Sequence, residues 1–205
     1  RLDVGVVGYP CSVAVSGDTN YVLIDSNGGP HVLCVSTDDG KTWEKRSTLP
    51  LDNETWYGAL CIGEDGRLLA GAYTQKDEEH LYYCISTDGG ETWSEQRTAV
   101  VDKGIRDPEL AYVGGRYFLH GRSGHHGPGA HRFVLYKSGD GEDWGEGIVV
   151  SSDERSPDGY SHNCIVRKGG ASGPAELMVL YSIIYEGRDT NEYVFFVRPA
   201  GSDEA

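Results

Sequence analysis

No run of about 18 consecutive apolar residues occurs in the 205-residue chain, so no membrane-spanning helix is expected. Apolar residues also never recur at helical spacing for long enough to build a useful helix. Cations are scarce. Eighteen Lys and Arg stand against 32 Asp and Glu, a formal charge of -14, with the acids spread along the whole chain. That balance excludes a nucleic acid or an anionic membrane as the natural partner. The five cysteines contain no Cys-x-x-Cys pair and no zinc spacing. Cys34 and Cys84 each stand two residues before the same motif, so the cysteines read as reduced core thiols rather than a disulfide framework. His120, His125, His126 and His131 fall mostly in a glycine loop and lack the regular spacing of a metal site on a rigid element, so neither metal nor cofactor is expected.

Glycine and tyrosine are plentiful, 29 and 13 residues. This usage suits many short strands joined by tight turns. Two stretches set the frame: Ser36-Thr-Asp-Asp-Gly-Lys-Thr-Trp43 and Ser86-Thr-Asp-Gly-Gly-Glu-Thr-Trp93. Both read S-x-D-x-G-x-T-W, with serines 50 residues apart. A shortened third copy, Ser138-Gly-Asp-Gly-Glu-Asp-Trp144, begins 52 residues later. A period in this range signals a repeat architecture.

Extended segments and turns recur between the motifs. They divide the chain into modules at about 8–50, 51–102, 103–156 and 157–205, the last without a fourth strand. The expected fold is all-β: one β-propeller domain over 1–205, its modules being four-stranded antiparallel blades. Arg1–Val7 alternates as a strand and could complete the last module, closing a four-bladed ring. The alternative is a larger, six-bladed ring of which four blades are visible. The start at Arg1, with no signal-peptide pattern, favours this second expectation and leaves cytoplasmic and secreted settings both open.

Each motif falls where strand three turns into strand four. Asp38, Asp88 and Asp140 are placed to accept turn N–H groups, and Ser36 and Ser86 open the turns. Gly40 and Gly90 permit left-handed backbone. Trp43, Trp93 and Trp144 offer large surfaces for packing between sheets. A calcium loop needs a longer run of oxygen ligands, so the motif reads as a hairpin staple.

Strand alternation puts these short hairpins on one rim. The opposite rim collects Ser26–His31, Lys103–Glu109, Arg122–Arg132, Pro157–Asn163 and Glu186–Asn191, where function is expected. Arginines gathered there suit a carboxylate or sulfate ligand.

The motifs resemble the Asp-box (BNR) repeats of the sialidase (neuraminidase) superfamily. Gly159-Tyr-Ser-His-Asn163, Tyr185-Glu-Gly-Arg188 and Glu192-Tyr-Val-Phe-Phe-Val197 together resemble the last blade of exo-sialidases. The resemblance implies a sialoside or related glycan ligand, Tyr160 as nucleophile and Glu186 as the residue orienting one arginine. It implies Arg132 as the third arginine of a carboxylate-binding set, with Glu109 and Arg122 fitting the base and a second arginine. Arg106-Asp-Pro echoes part of the family's Arg-Ile-Pro motif. A neutral tyrosine approaches a centre flanked by a carboxylate with less repulsion than a carboxylate nucleophile would. Two alternatives stand beside this reading. One is a uronate polysaccharide lyase using Tyr160, His162 and Arg122, and the other is a non-catalytic glycan-binding propeller.

Overall fold

The computed structural model describes residues 4–26, 29–124, 131–153, 158–167, 175–184 and 190–197. Among them there is no helix, hence none long and apolar enough to cross a membrane.

Four antiparallel sheets follow one another along the chain. The first holds β1 (Tyr9–Ser16), β2 (Thr19–Asp25), β3 (Val32–Ser36) and β4 (Glu44–Thr48). The second holds β5 (Thr55–Ile62), β6 (Leu68–Thr74), β7 (His80–Ser86) and β8 (Arg97–Val100). The third holds β9 (Arg106–Val113), β10 (Arg116–Ser123), β11 (His131–Ser138) and β12 (Ile148–Asp153). The fourth holds β13 (Asp158–Arg167), β14 (Ala175–Ile184) and β15 (Thr190–Val197). Strands pair in sequence order within every sheet. First strands touch first strands, β1 on β5, β5 on β9 and β9 on β13, so these form the inner edge of the stack. This is the arrangement of blades in a β-propeller, as the repeat predicts.

The sheets adhere through shared cores. In β6 all seven residues are buried, because both of its faces are covered. Leu68, Ala70 and Ala72 pack with Leu23, Leu33 and Val35 of the first sheet. Leu69 faces the other way, toward Leu110, Leu119 and Tyr136 of the third. Such two-faced strands read as continuous apolar runs rather than alternating ones. Phe118, Phe133 and Leu135 then meet Leu177, Val179 and Tyr181 of the fourth sheet.

The segment before β1 departs from expectation. Residues 4–7 form bends and unpaired chain, not a strand, although Val4 and Val6 pack on Val22, Ile24, Val32 and Cys34. Gly5 adopts φ +68°, a left-handed conformation that interrupts an extended run.

All three motifs form the expected staple. Ser36 Oγ donates to Asp38 Oδ1 at 2.8 Å and accepts from the Gly40 N–H at 2.9 Å. Asp38 Oδ1 accepts from the Thr42 N–H at 2.8 Å. The second staple repeats this through Ser86, Asp88, Gly90 and Thr92. The third keeps the Ser138–Asp140 bond at 2.9 Å and caps Glu142 N and Asp143 N, which compensates for its missing residue. Gly90, at φ +86°, has two reasons to be glycine, since a Cβ there would also strike the Leu33 side chain. Trp43 bonds its own Gly40 carbonyl, whereas the later tryptophans reach backwards. Trp93 Nε1 donates to Ser47 Oγ of the first sheet at 2.9 Å, and Trp144 is buried in the core between sheets two and three.

Two outcomes follow. Trp144→Ala should cost about 3–5 kcal/mol, measured by urea unfolding, because the ring is wholly inside an inter-sheet core. Hydrogen bonds from Thr92 and Ser86 hold the Asp88 carboxyl down at about 2, below its ordinary 3.8. A depressed carboxyl stabilises the fold above its unfolded pKa and loses that contribution as pH falls through its folded one. The melting-temperature gap between wild type and Asp88→Asn should therefore be full above pH 4 and close toward pH 2.

Candidate functional site

The rim opposite the staples is where the inner strands begin. There the ladders are irregular: the register shifts between Pro10 and Ser12, between Trp56 and Ala59, and between His120 and Arg122. Bulges re-aim side chains at such places. In the second and third sheets the bulge holds a non-glycine residue in left-handed backbone, Tyr57 at φ +48° and Asp107 at φ +45°. Such strain persists only where the surroundings enforce it. Gly121, opposite the second of these bulges, leaves room for it: a Cβ there would strike the carbonyl oxygen of Arg106.

Two adjoining groups occupy the rim. Asp25, fully buried at the end of β2, centres the first. Its Oδ2 accepts from Tyr9 OH at 2.8 Å and from the Tyr57 N–H at 2.9 Å. His31 Nε2 lies 3.9 Å from the same oxygen. Burial, with the nearby Asp25 charge, pushes the Tyr9 phenol well above its ordinary value. Burial pulls the His31 imidazole below its ordinary 6.5, outweighing Asp25, which acts in the opposite sense.

The second group is ionic. Arg122 Nε donates to Asp107 Oδ2 in a short, largely buried ion pair. Arg106 is the register partner of Arg122. Its guanidinium lies 5.1 Å from the centre of the Tyr73 ring, a cation–π contact, and Nη2 reaches Tyr73 OH at 3.4 Å. Burial raises the Tyr73 phenol, followed by the Asp107 charge. Tyr73 also links the two groups, stacking against Tyr57 at 6.2 Å and 11°.

The structure brings some predicted residues together and separates others. Arg106 and Arg122 meet around Asp107 and Tyr73. Glu109, half-buried on β9, alternates with Ala111 and Val113 and so faces the fourth sheet. Its register partner His120 is buried on the same side, 5.8 Å from the Phe133 ring, which stacks on Tyr181 at 4.4 Å. Arg132 leaves the other face of the third sheet: it pairs with Ser123, whereas Arg122 pairs with Phe133. Tyr160 and His162 belong to β13, where their register partners are Ser182 and Leu180. Their side chains, and all of Glu186, lie outside the described residues. The staple residues stand on the far rim, as structural parts.

Sequence reasoning missed Tyr9, Asp25, Tyr57 and Tyr73 as site residues. One signal was present: Asp25 abruptly ends the apolar Tyr21-Val-Leu-Ile24, at the same strand end that carries Tyr73 and Arg122 in the next two sheets.

Among the described residues, buried polar atoms without a hydrogen-bond partner concentrate on this rim. They include both His31 nitrogens, Thr74 Oγ1, Asp107 Oδ1, Ser123 Oγ and Arg132 Nε. Native proteins satisfy nearly all such atoms, so a cluster marks a place where water or ligand completes the bonding. No group of three or more His, Cys, Asp or Glu among the described residues is arranged to hold a metal ion.

The family model described as BNR repeat-like domain matches residues 11–169. No curated protein matches the chain. Solved structures do. The Bacteroides ovatus xyloglucan-locus protein GH43B superposes with TM-score 0.63 at 15% identity, over 95% of this chain and 40% of that one. The α-L-arabinofuranosidase Arb93A from Fusarium graminearum gives 0.62 at 14% identity, over 94% and 62%. NanB sialidase from Streptococcus pneumoniae, a K499G mutant, gives 0.56 at 16% identity, over 93% and 31%. The chain thus spans between about a third and three-fifths of these proteins, and at such identities the likeness shows the fold.

The buried, neutral His31 has a measurable consequence. Below pH 6.5 the unfolded chain takes up a proton that the folded one resists, so stability falls with pH by at most about 1.4 kcal/mol per unit. His31→Gln should flatten this slope in urea titrations between pH 6.5 and 5.

Proposed function

The chain belongs to the BNR repeat-like domain family, and from that membership we propose that it acts on glycans as a glycoside hydrolase. The proposed substrate is a glycoside of a carboxylate-bearing sugar, with a sialoside as the best fit. One observation carries the reading: the rim that gathers the inner-strand bulges also gathers buried, incompletely bonded polar atoms of both signs beside two guanidinium groups. A polar ligand with one carboxylate and several hydroxyls matches such a surface. Arg106 and Arg122 would hold the carboxylate by paired hydrogen bonds. Arg132, from the opposite face of the third sheet, would contact a more distant part of the sugar.

The chemistry then needs a nucleophile that the substrate's own charge does not repel. Tyr160 fills this role in the proposal, with Glu109 taking its proton. The phenolic oxygen bonds to the anomeric carbon as the glycosidic C–O bond breaks. The departing oxygen takes a proton from a general acid, or leaves as the anion when it is an acidic phenol. Water then attacks the anomeric carbon, giving its proton to the conjugate base of that acid or to solvent, while Glu109 returns its proton to Tyr160 as the bond to the tyrosine oxygen breaks, so the anomeric configuration is retained. His162 and Glu186 would orient the substrate and an arginine around this centre. Supporting the assignment, Glu109 faces the fourth sheet, whose inner strand carries Tyr160.

The test is release of fluorophore from an aryl sialoside by the full-length protein. Tyr160→Phe should abolish turnover, Glu109→Gln should lower kcat roughly 10²–10⁴-fold, and Arg122→Ala should lower kcat/KM roughly 10–100-fold. Cleavage of neutral glycosides in preference to acidic ones would overturn the substrate assignment. Products absorbing as unsaturated uronates would indicate a lyase instead, and glycan binding without turnover a binding propeller.

A further inference from the structure

The two left-handed residues on the rim stand at the same place in successive sheets. Tyr57 follows the register pair Trp56–Tyr73, and Asp107 follows the pair Arg106–Arg122. Both bulges therefore hold their strained residue beside the end of the second strand, and each presents a different chemistry. In the third sheet it is a carboxylate engaged by Arg122. In the second it is a half-buried phenol ring.

Glycine or asparagine occupies left-handed backbone with least strain. A tyrosine there calls for an explanation, and its surroundings are built to hold it. Its N–H donates to the fully buried Asp25 carboxylate at 2.9 Å. Its ring lies 5.8 Å from Tyr9 on one side and 6.2 Å from Tyr73 on the other. Tyr9 is itself fixed by its 2.8 Å hydrogen bond to Asp25, so one carboxylate anchors the backbone of one ring and the hydroxyl of the other. Tyr73 is fully buried and acts as backing, whereas Tyr9 and Tyr57 keep partial access to solvent. The result is an aromatic wall, continuous through Tyr73 with the Arg106–Asp107–Arg122 group.

We infer that Tyr57, backed by Tyr73 and flanked by Tyr9, forms a second sugar subsite that stacks on an uncharged ring next to the charged sugar. The substrate class is then an oligosaccharide in which an acidic residue is joined to a neutral one. A sugar ring presents an apolar face of C–H groups, and a rigid phenol ring offers the matching surface at small entropic cost. Asp25 is a positioning residue here, acting through Tyr9 and Tyr57. The identity of the charged sugar rests on the glycosidase reading above, but the aromatic subsite does not.

The experiment compares binding of sialyllactose, lactose and free sialic acid to the full-length protein by calorimetry, in wild type and in Tyr57→Gly. Glycine suits the left-handed backbone, and this relief of strain offsets part of the lost ring contacts, so the variant should still fold, as a melting curve checks. Its affinity for sialyllactose should fall roughly tenfold, the scale of one lost aromatic contact, while that for sialic acid stays within about twofold. Tyr57→Phe should bind sialyllactose as wild type does, because the ring face does the work. Tyr57→Asn, also at ease in left-handed backbone, repeats the test should the glycine variant unfold. Equal losses for sialyllactose and sialic acid, or no loss for either, would overturn the subsite. Tyr57-dependent binding of lactose without any binding of sialic acid would keep the subsite and reject the acidic-sugar reading. Failure of wild type to bind any of the three would reject both.

Discussion

A sheet that is apolar on both faces is stable in water only between two others, and this constraint organises the molecule. The middle strands of the repeats bury most of their residues, and β6 buries every one. No single repeat can satisfy that demand. Each pair of neighbours shares one core, and the inner strands are drawn together into a common edge. Once the sheets are stacked, their strand ends fall into two rims with no freedom to mix. One rim receives the tight hairpins, and the other receives the longer connections and the starts of the inner strands.

The two rims handle their polar groups in opposite ways. On the stapled rim, serine, aspartate and threonine answer one another and the turn backbone in a nearly closed set of hydrogen bonds, with Trp144 Nε1 the buried donor left over among the described staple residues. Ion pairs extend the closure across sheets: Glu91 to Arg46, and Glu142 to Arg97 with Tyr83. Pairs this exposed add little singly, though the Glu142 group forms a network. On the other rim the bonding is left open. Bulges break the ladders, tyrosine and aspartate sit in left-handed backbone, and buried donors and acceptors lack partners among the described residues. Closure gives rigidity, and openness leaves bonds for a ligand to complete.

The sheet architecture and the polarity of its rims were legible because both follow from the spacing of the Asp-box motifs. The strand alternation needed to place Trp93 or Gly90 is local, so it can be read from a few residues. The site was less legible because it depends on register. Arg122 and Arg132 both read as rim arginines, yet a single step in the ladder sends them to opposite faces of the third sheet. The importance of Tyr57 lies in a backbone angle that no residue type announces, since tyrosine is an unusual occupant of it. Asp25 was hidden for a different reason: a lone aspartate ending an apolar strand resembles an ordinary turn residue until Tyr9 and Tyr57 are seen to converge on it. Val4 and Val6 alternate as a strand would, but they pack as apolar anchors on a chain bent at Gly5.

The backward reach of the staples bears on how the chain is made. Trp93 bonds to Ser47 and Glu91 pairs with Arg46, while Arg67 donates to the Asp140 carbonyl and Tyr117 bonds to Arg67. In each case a later hairpin docks on a sheet already synthesised. Among the described residues, these staple bonds run to sheets earlier in the chain, so the stack can grow in the order of translation. The second and third hairpins each lock their sheet onto the one before it, and an apolar face is covered soon after it emerges. The same backward contacts that fix the stack are thus compatible with a vectorial assembly of a β topology whose long-range pairings fold slowly.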